Sequence, residues 1–353
     1  MLSEEELLSN GEESSEELYE HHRFVATPGQ KPYRVDKFLH NFIEGSSRTK
    51  IQQAADAGNV LVNGKPVKSN YKVKAGDVVT VVLPHPPRDT ELIPENIPLN
   101  ILYEDPHLVV IDKQPGLVVH PGVGNRSGTL VNGLLFHVNK NLPKGTTDPI
   151  RPGLVHRLDK NTSGIMVVAL TEFAMMHLAR QFYERTTGRT YQAIVWGDFD
   201  QDEGTIIGNV GRNLKDRKVM DVFPPESGIG KHAVTHYRVL RRFGYVTLVE
   251  CRLETGRTHQ IRVHMKHIGH PLFNDWEYGG DRILKGTHHQ KYTQFIHNCM
   301  EVCPRHALHA KTLSFDHPLT GQRMTFDSDL PADMAALLQK WDRYVGGLGV
   351  EEN

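Results

Sequence analysis

A proline-rich run, His85-Pro86-Pro87-Arg88 through Pro94 and Pro98, separates two stretches of different pattern. Proline cannot donate to a helix interior or a central strand, so neither stretch continues through it, and a linker over 87–96 is expected. In the short block before it, 24–86, Val35, Phe38, Leu39 and Phe42 fall at i, i+3, i+4 and i+7, the spacing of one helix face. A second helix should begin after Ser46-Ser47, and alternation at Val60-Leu61-Val62 and Val78 to Val82 reads as strands, with Asn63-Gly64 as a hairpin turn. The long block, 97–342, mixes apolar strand-like runs such as Leu108-Val109-Val110-Ile111 and Ile165-Met166-Val167-Val168 with amphipathic helices. One of these helices should follow Thr171 as its N-cap, and the last carries Met334, Leu337, Leu338 and Trp341 on one face. Antiparallel-looking pairs amid helices imply an α+β fold, with no regular strand–helix–strand repeat.

The net charge of -1 conceals a split. Residues 1–22 carry eight Glu and no Lys or Arg, which leaves 41 basic against 34 acidic residues in the remainder, a net of +7. The acidic run, 1–23, reads as a solvated, disordered tail, and 343–353 as a second tail. Within 31–83 basic residues outnumber acidic ones nine to four. No 18 apolar residues run together, and the N-terminus is acidic where a targeting peptide would be basic. The three cysteines, 251, 299 and 303, make no secreted-type disulfide framework. A cytoplasmic protein without membrane contact is expected.

Two segments hold more polar groups than folding alone requires. The first, Arg151 to Gly164, is a Gly-bounded loop leading into an apolar strand; the second, Leu253 to Met265, reads as strand, turn and helix, the helix capped by Thr258. On that helix His259, Arg262 and Lys266 should share a face. Asp159, between Arg157 and Lys160, should stay ionised, because neighbouring cations favour the carboxylate. Such a group suits a nucleophile better than an acid. By composition alone the commoner fate of such residues is structural, Asp159 capping a turn and Arg262 making a surface pair.

The string HRLDKNTSG, residues 156–164, resembles the first catalytic motif of the RluA family of pseudouridine synthases. GRTYQAIVWG, 188–197, resembles the second and LETGRTHQIRVHM, 253–265, the third, in the family's order; GLVVHPG, 116–122, and GHPLFND, 269–275, are similar to flanking segments. The resemblance covers about 97–341 and implies a mixed, largely antiparallel sheet with flanking helices around an RNA-binding cleft. It assigns Asp159 as the catalytic aspartate, Tyr191 as the active-site tyrosine and Arg262 as the partner of that aspartate. Ile261 would lie against the base, Arg157 would fill the space a flipped base leaves, and His156, His259 and Arg257 would contact substrate. Asp159 could attack the ribose anomeric carbon, add to the pyrimidine ring, or remove the neighbouring ribose proton. No cofactor, nucleotide or metal is implied, because nothing is oxidised and no group leaves the site, and a monomer is expected.

The short block resembles an S4 RNA-binding module in Tyr33 to Leu39, Ser47 to Gln52 and Ala57 to Lys65, with Arg34, Arg48 and Lys50 as expected phosphate contacts. Together the two blocks are most similar to family members that act on large-subunit ribosomal RNA, which implies uridines in a stem-loop such as helix 69. Other ribosomal sites or tRNA are the alternative targets. Two other functions compete. A non-catalytic, S4-tethered assembly factor would lack Asp159, Tyr191 or Arg262, and all three are present. A nucleoside-cleaving enzyme would need a second carboxylate, for which only Glu254 and Asp275 lie near the motifs. His297, Cys299, Cys303, His306 and His309 imitate a zinc site with loose spacing; they are read as loop or sheet-edge residues. Arg282 to Met300 is expected to be a long loop, with His288 and His289 exposed.

Overall fold

The structure is a computed structural model. It describes residues 19–27, 33–43, 47–83, 92–121, 125, 127–140, 152–216, 219–287 and 289–348. Most of the acidic run, residues 87–91 of the linker, Arg151, His288 and 349–353 lie outside the described residues. The chain divides into two compact units, Met1–Glu91 and Leu92–Asn353.

The first unit packs helices Val35–Phe42 and Arg48–Asp56 on short antiparallel strands. Ser47 caps the second helix, its hydroxyl accepting from the Lys50 N–H at 3.3 Å. Val35, Phe38, Leu39, Ile51, Val60, Val79 and Val81 form its core. Phe42 stays 55% exposed at the end of its helix, though its ring lies 4.9 Å from that of Phe38. Strands Val60–Val62 and Lys65–Pro66 are joined by Asn63 (φ 51) and Gly64 (φ 76), the paired left-handed residues a tight hairpin requires. One boundary differs from expectation. A strand, Tyr19–Val25, begins inside the expected tail and pairs antiparallel with Val78–Leu83, so backbone pairing recruits residues that composition assigns to solvent.

The second unit is built on one sheet. In spatial order its main path runs Met220–Phe223, Glu203–Arg212, Lys231–Arg242, Val246–Leu253, Gly188–Trp196, Leu308–Asp316, Ser163–Ala169, Leu108–Lys113, Asn100–Glu104. Pairing is antiparallel except between Ser163–Ala169 and Leu308–Asp316, which run parallel through Ser163 and Gly164 opposite His309 and Ala310.

The period-two alternation of these strands divides their side chains between two faces. Val109, Ile111, Met166, Val168, Tyr191 and Ala193 join a core with Leu130 and Leu134 of helix Leu130–Asn139 and with Ile261 and Met265 of helix Gln260–His267. Their neighbours Leu108, Val110, Ile165 and Val167 pack under Ala174 and Leu178 of helix Glu172–Glu184, capped by Thr171 as expected. A third cluster joins Ile194, Trp196, Ile296, Cys299, Met334, Leu337 and Trp341. The central strand Ser163–Ala169 is therefore buried along its whole length.

The segment expected as a loop holds a helix, Gln290–Val302, whose buried Tyr292, Ile296 and Cys299 have helical spacing. The closing helix, Ala332–Leu348, runs past the expected end at 342. Trp341 is fully buried there, its ring edge-on to Phe295 at 4.9 Å. Trp341→Ala is expected to lower the unfolding free energy by about 3–5 kcal/mol, through lost transfer energy and an unfilled cavity. Urea unfolding followed by near-UV circular dichroism checks this; an unmoved midpoint would show that the helix lies outside the cooperative core.

Candidate active site

Asp159 sits in the turn before strand Ser163–Ala169, and the backbone around it is held by groups distant in sequence. The Thr162 N–H donates to the Asp159 carbonyl at 3.1 Å, closing the turn. The Lys160 carbonyl accepts from the Gly116 N–H at 2.9 Å and from Lys113 Nζ at 3.1 Å. The next carbonyl, that of Asn161, accepts from Arg305 Nη1 at 2.9 Å. Arg305 is in turn held at both ends of its guanidinium by Asp333, at 2.6 and 3.0 Å. Burial, with Arg305 nearby, pushes the Lys113 ammonium down to about 7. Gly164 has φ 116 and lies against the Ala310 backbone, where a Cβ would collide, so glycine is required for the parallel pairing that seats the loop.

Across the pocket, helix Gln260–His267 supplies Arg262, only 2% exposed. Its Nη1 donates to Oδ2 of Asp159 at 3.2 Å. Nε and Nη2 grip the two oxygens of Asp275 at 2.7 Å each, and Nη2 also meets Glu277. Burial opposes the arginine's charge, but the bond to Asp275 and the surrounding carboxylates outweigh it and raise its pKa. Burial likewise lifts the Asp275 carboxyl above its ordinary value, against the pull of Arg262.

Tyr191, on strand Gly188–Trp196, is 8% exposed and lines the same pocket as Asp159 and Arg262, with Leu253, Ile261 and Leu308 as apolar walls. Burial raises the Tyr191 pKa, so the phenol keeps its proton at neutral pH. Arg157, Arg257 and His259 also line the pocket. Arg157 is exposed, whereas Arg257 is steadied by the His232 carbonyl at 3.1 Å. The expected cap Thr258 is displaced by His259, which takes the N-cap position in a left-handed conformation (φ 55) and brings Nε2 to 3.7 Å from Oδ1 of Asp159. Gln260 braces this turn, accepting from the Arg257 N–H at 2.9 Å.

His156 differs from the substrate contact expected of it. Its ring stacks on Phe182 at 4.6 Å, its Nε2 accepts from the Val167 N–H at 3.0 Å, and it does not line the pocket. The zinc-like residues scatter. Cys299 lies on a helix, His306 bonds to the Thr162 hydroxyl at 2.8 Å, and His309 lies within a central strand, bonded to Ser163 at 3.0 Å. Neither candidate second carboxylate is free: Asp275 is fully buried on Arg262, and Glu254 is exposed beside His236 at 2.7 Å. Lys113, Glu277, Tyr278 and Arg305 belong to the site's framework, and no local pattern in the sequence marks them. In the first unit Arg34 and Arg48 both bond to the buried carboxylate of Asp36, at 3.0 Å each, with side chains still 42% and 46% exposed.

The pocket thus joins an ionic Asp–Arg pair, a buried phenol and an apolar wall, the equipment for reshaping an uncharged ring beside a carboxylate. Residues 107–267 match the family model described as RNA pseudouridylate synthase, and 34–79 match the S4 domain. The chain is 48% identical to an uncharacterized RNA pseudouridine synthase of Chlorobaculum parvum, over 88% of this chain and 94% of that protein. It therefore belongs to the RNA pseudouridine synthase family, whose members are isomerases acting on RNA. It is also 41% identical to the ribosomal large subunit pseudouridine synthase D of Zymomonas mobilis, over 87% and 93% of the two chains. Human RNA pseudouridylate synthase domain containing 4 shares the fold, with a TM-score of 0.54 at 24% identity over 69% of this chain and 93% of its own. Among the described residues no helix is long and apolar enough to cross a membrane.

The His156 environment sets a pH dependence. Burial holds its pKa at about 3, below the ordinary 6.5, so the unfolded chain binds the extra proton first as pH falls. The stability tied to neutral His156 is full above about 6.5 and is lost as pH falls toward 3. Unfolding free energies measured between those limits should decline less steeply for His156→Leu than for wild type. Parallel slopes would contradict the assignment.

Proposed function

We propose that the protein converts uridines in a stem-loop of large-subunit ribosomal RNA, helix 69 being the first to examine, with Asp159 as the nucleophile and the target base flipped out of its stack. The observation that carries this is the 3.2 Å contact between Arg262 Nη1 and Asp159 Oδ2 in a pocket that also holds Tyr191. Arg262 orients the carboxylate through that contact. Tyr191 and Ile261 offer surfaces on which a uracil ring can stack and turn. The target class follows the relatives named for the ribosomal large subunit, including those of Zymomonas mobilis and Nitrosomonas europaea, the latter 43% identical.

The reaction breaks the bond from ribose to the ring nitrogen, turns the base, forms a bond to the ring carbon, releases that carbon's proton and leaves a proton on the freed ring nitrogen, so the product is an isomer of uridine. No electrons are gained or lost, and a protein operating in the bacterial cytoplasm needs no cofactor for it. Arg157 would occupy the space left by the base, and Arg257 and His259 would contact the substrate; all three line the pocket. Phosphates on RNA would meet Arg34, Arg48 and Lys50 of the S4 module.

Ribosomal RNA labelled with tritium on the carbon that becomes the new attachment point provides the test. Wild type should release tritium and Asp159→Asn should lose at least about three orders of magnitude in rate, in keeping with removal of a nucleophile. Comparable release by both proteins would sink the role of Asp159. Mapping the modified positions then separates a large-subunit target from another ribosomal site or tRNA.

A further inference from the structure

Asp159 is faced by two groups, Arg262 and His259, and one residue outside the pocket touches both. Tyr278 is 2% exposed. Its ring lies beneath the Arg262 guanidinium, 4.9 Å from Cζ to the ring centroid, and its hydroxyl lies 2.9 Å from Nδ1 of His259. The two rings meet edge to face, at 5.7 Å and 88°.

The hydroxyl's other contact decides the direction of the hydrogen bond. Tyr278 Oη accepts from the Met220 backbone N–H at 3.0 Å. A phenol has one proton to donate. If His259 also donated from Nδ1, two donors would converge on the oxygen and its own buried proton would have no partner, a costly arrangement in the interior. Donation from Tyr278 to an unprotonated Nδ1 satisfies every group. A neutral imidazole then carries its proton on Nε2, the nitrogen 3.7 Å from Oδ1 of Asp159. The opposite tautomer would aim a lone pair at the carboxylate. Burial favours the neutral ring, lowering the His259 pKa although Asp159 pulls it the other way.

We propose that Tyr278 is a positioning residue that fixes the Nε2–H tautomer of His259, so that an N–H dipole faces one oxygen of Asp159 while Arg262 holds the other. The two donors together set the plane of the carboxylate. His259 sits in a left-handed conformation, which is strained for a non-glycine residue and persists where surrounding contacts hold it. The Tyr278 hydrogen bond is one such contact. The effect on rate rests on the proposed role of Asp159; the tautomer does not.

Nuclear magnetic resonance of the full chain labelled with ¹⁵N-histidine reads the tautomer directly, with His259→Gln identifying the signal. Wild type should show a proton-bearing Nε2 and a bare Nδ1 at neutral pH. Tyr278→Phe keeps the ring under Arg262 but removes the donor. It should give mixed tautomers and lower kcat for tritium release on the order of tenfold to a hundredfold at unchanged KM, the scale of a misaligned reacting group. A proton on Nδ1 in wild type would overturn the proposal even if Tyr278→Phe failed to fold. A tautomer unchanged in that variant, or a shifted tautomer with full kcat, would overturn it as well. Failure of wild type to act on RNA would refute the proposed function, while the ¹⁵N spectrum would still decide whether Tyr278 sets the tautomer.

Discussion

A guanidinium taken out of water must be repaid by partners, and Arg262 is almost wholly buried. Asp275 supplies most of that compensation through two bonds of 2.7 Å, with Glu277 beside it. Asp159 receives a single, longer bond at 3.2 Å and stays 21% exposed. The asymmetry matters chemically. Asp275 commits both oxygens to the arginine, whereas Asp159 commits only Oδ2 and leaves Oδ1 unbonded to it. Arg262 thus holds two carboxylates unequally, Asp275 by two short bonds and Asp159 by one longer bond.

The same division of labour governs the backbone. Lys113 and Arg305 reach the consecutive carbonyls of Lys160 and Asn161 from distant parts of the chain, so the turn is held just after Asp159 from two directions. Both side chains end on carbonyl oxygens deep in the unit, and Arg305 passes the constraint on to Asp333 of the closing helix. A loop anchored in this way loses little further conformational freedom when substrate arrives.

The legible part of the molecule is what local spacing encodes. Leu108 to Ile111 and Ile165 to Val168 read as strands because their apolar runs match buried pleats, and Thr171 reads as a cap because its hydroxyl accepts from an N–H only three residues away. The Asp159, Tyr191 and Arg262 set comes from motif resemblance, since nothing local joins residues on a turn, a strand and a helix. Helix Gln290–Val302 is hard to see in the sequence because its apolar face is thin, three buried positions among His, Asn, Gln and Thr. The partnership of Arg262 with Asp275 and Tyr278 spans a helix and the loop after it, where side-chain direction is decided by tertiary packing. His156 misleads for a related reason: it adjoins Arg157 in the motif, yet the turn of the chain sends its ring to Phe182 and the Val167 N–H.

The S4 module applies the logic of Arg262 in a weaker form. Asp36 is fully buried, and its carboxyl is held well below its usual range: burial works against ionisation, but hydrogen bonds from Arg34, Gln52 and Arg48 prevail. The two arginines keep nearly half of their side-chain surface in solvent. A guanidinium fixed at one edge has less rotamer freedom to lose on meeting a phosphate than a free lysine has. Counting charges would place Asp36 against nucleic-acid binding, since it offsets one of the two cations. Its burial reverses that conclusion: the negative charge faces inward, and what the surface presents is the solvent-facing part of two guanidinium groups.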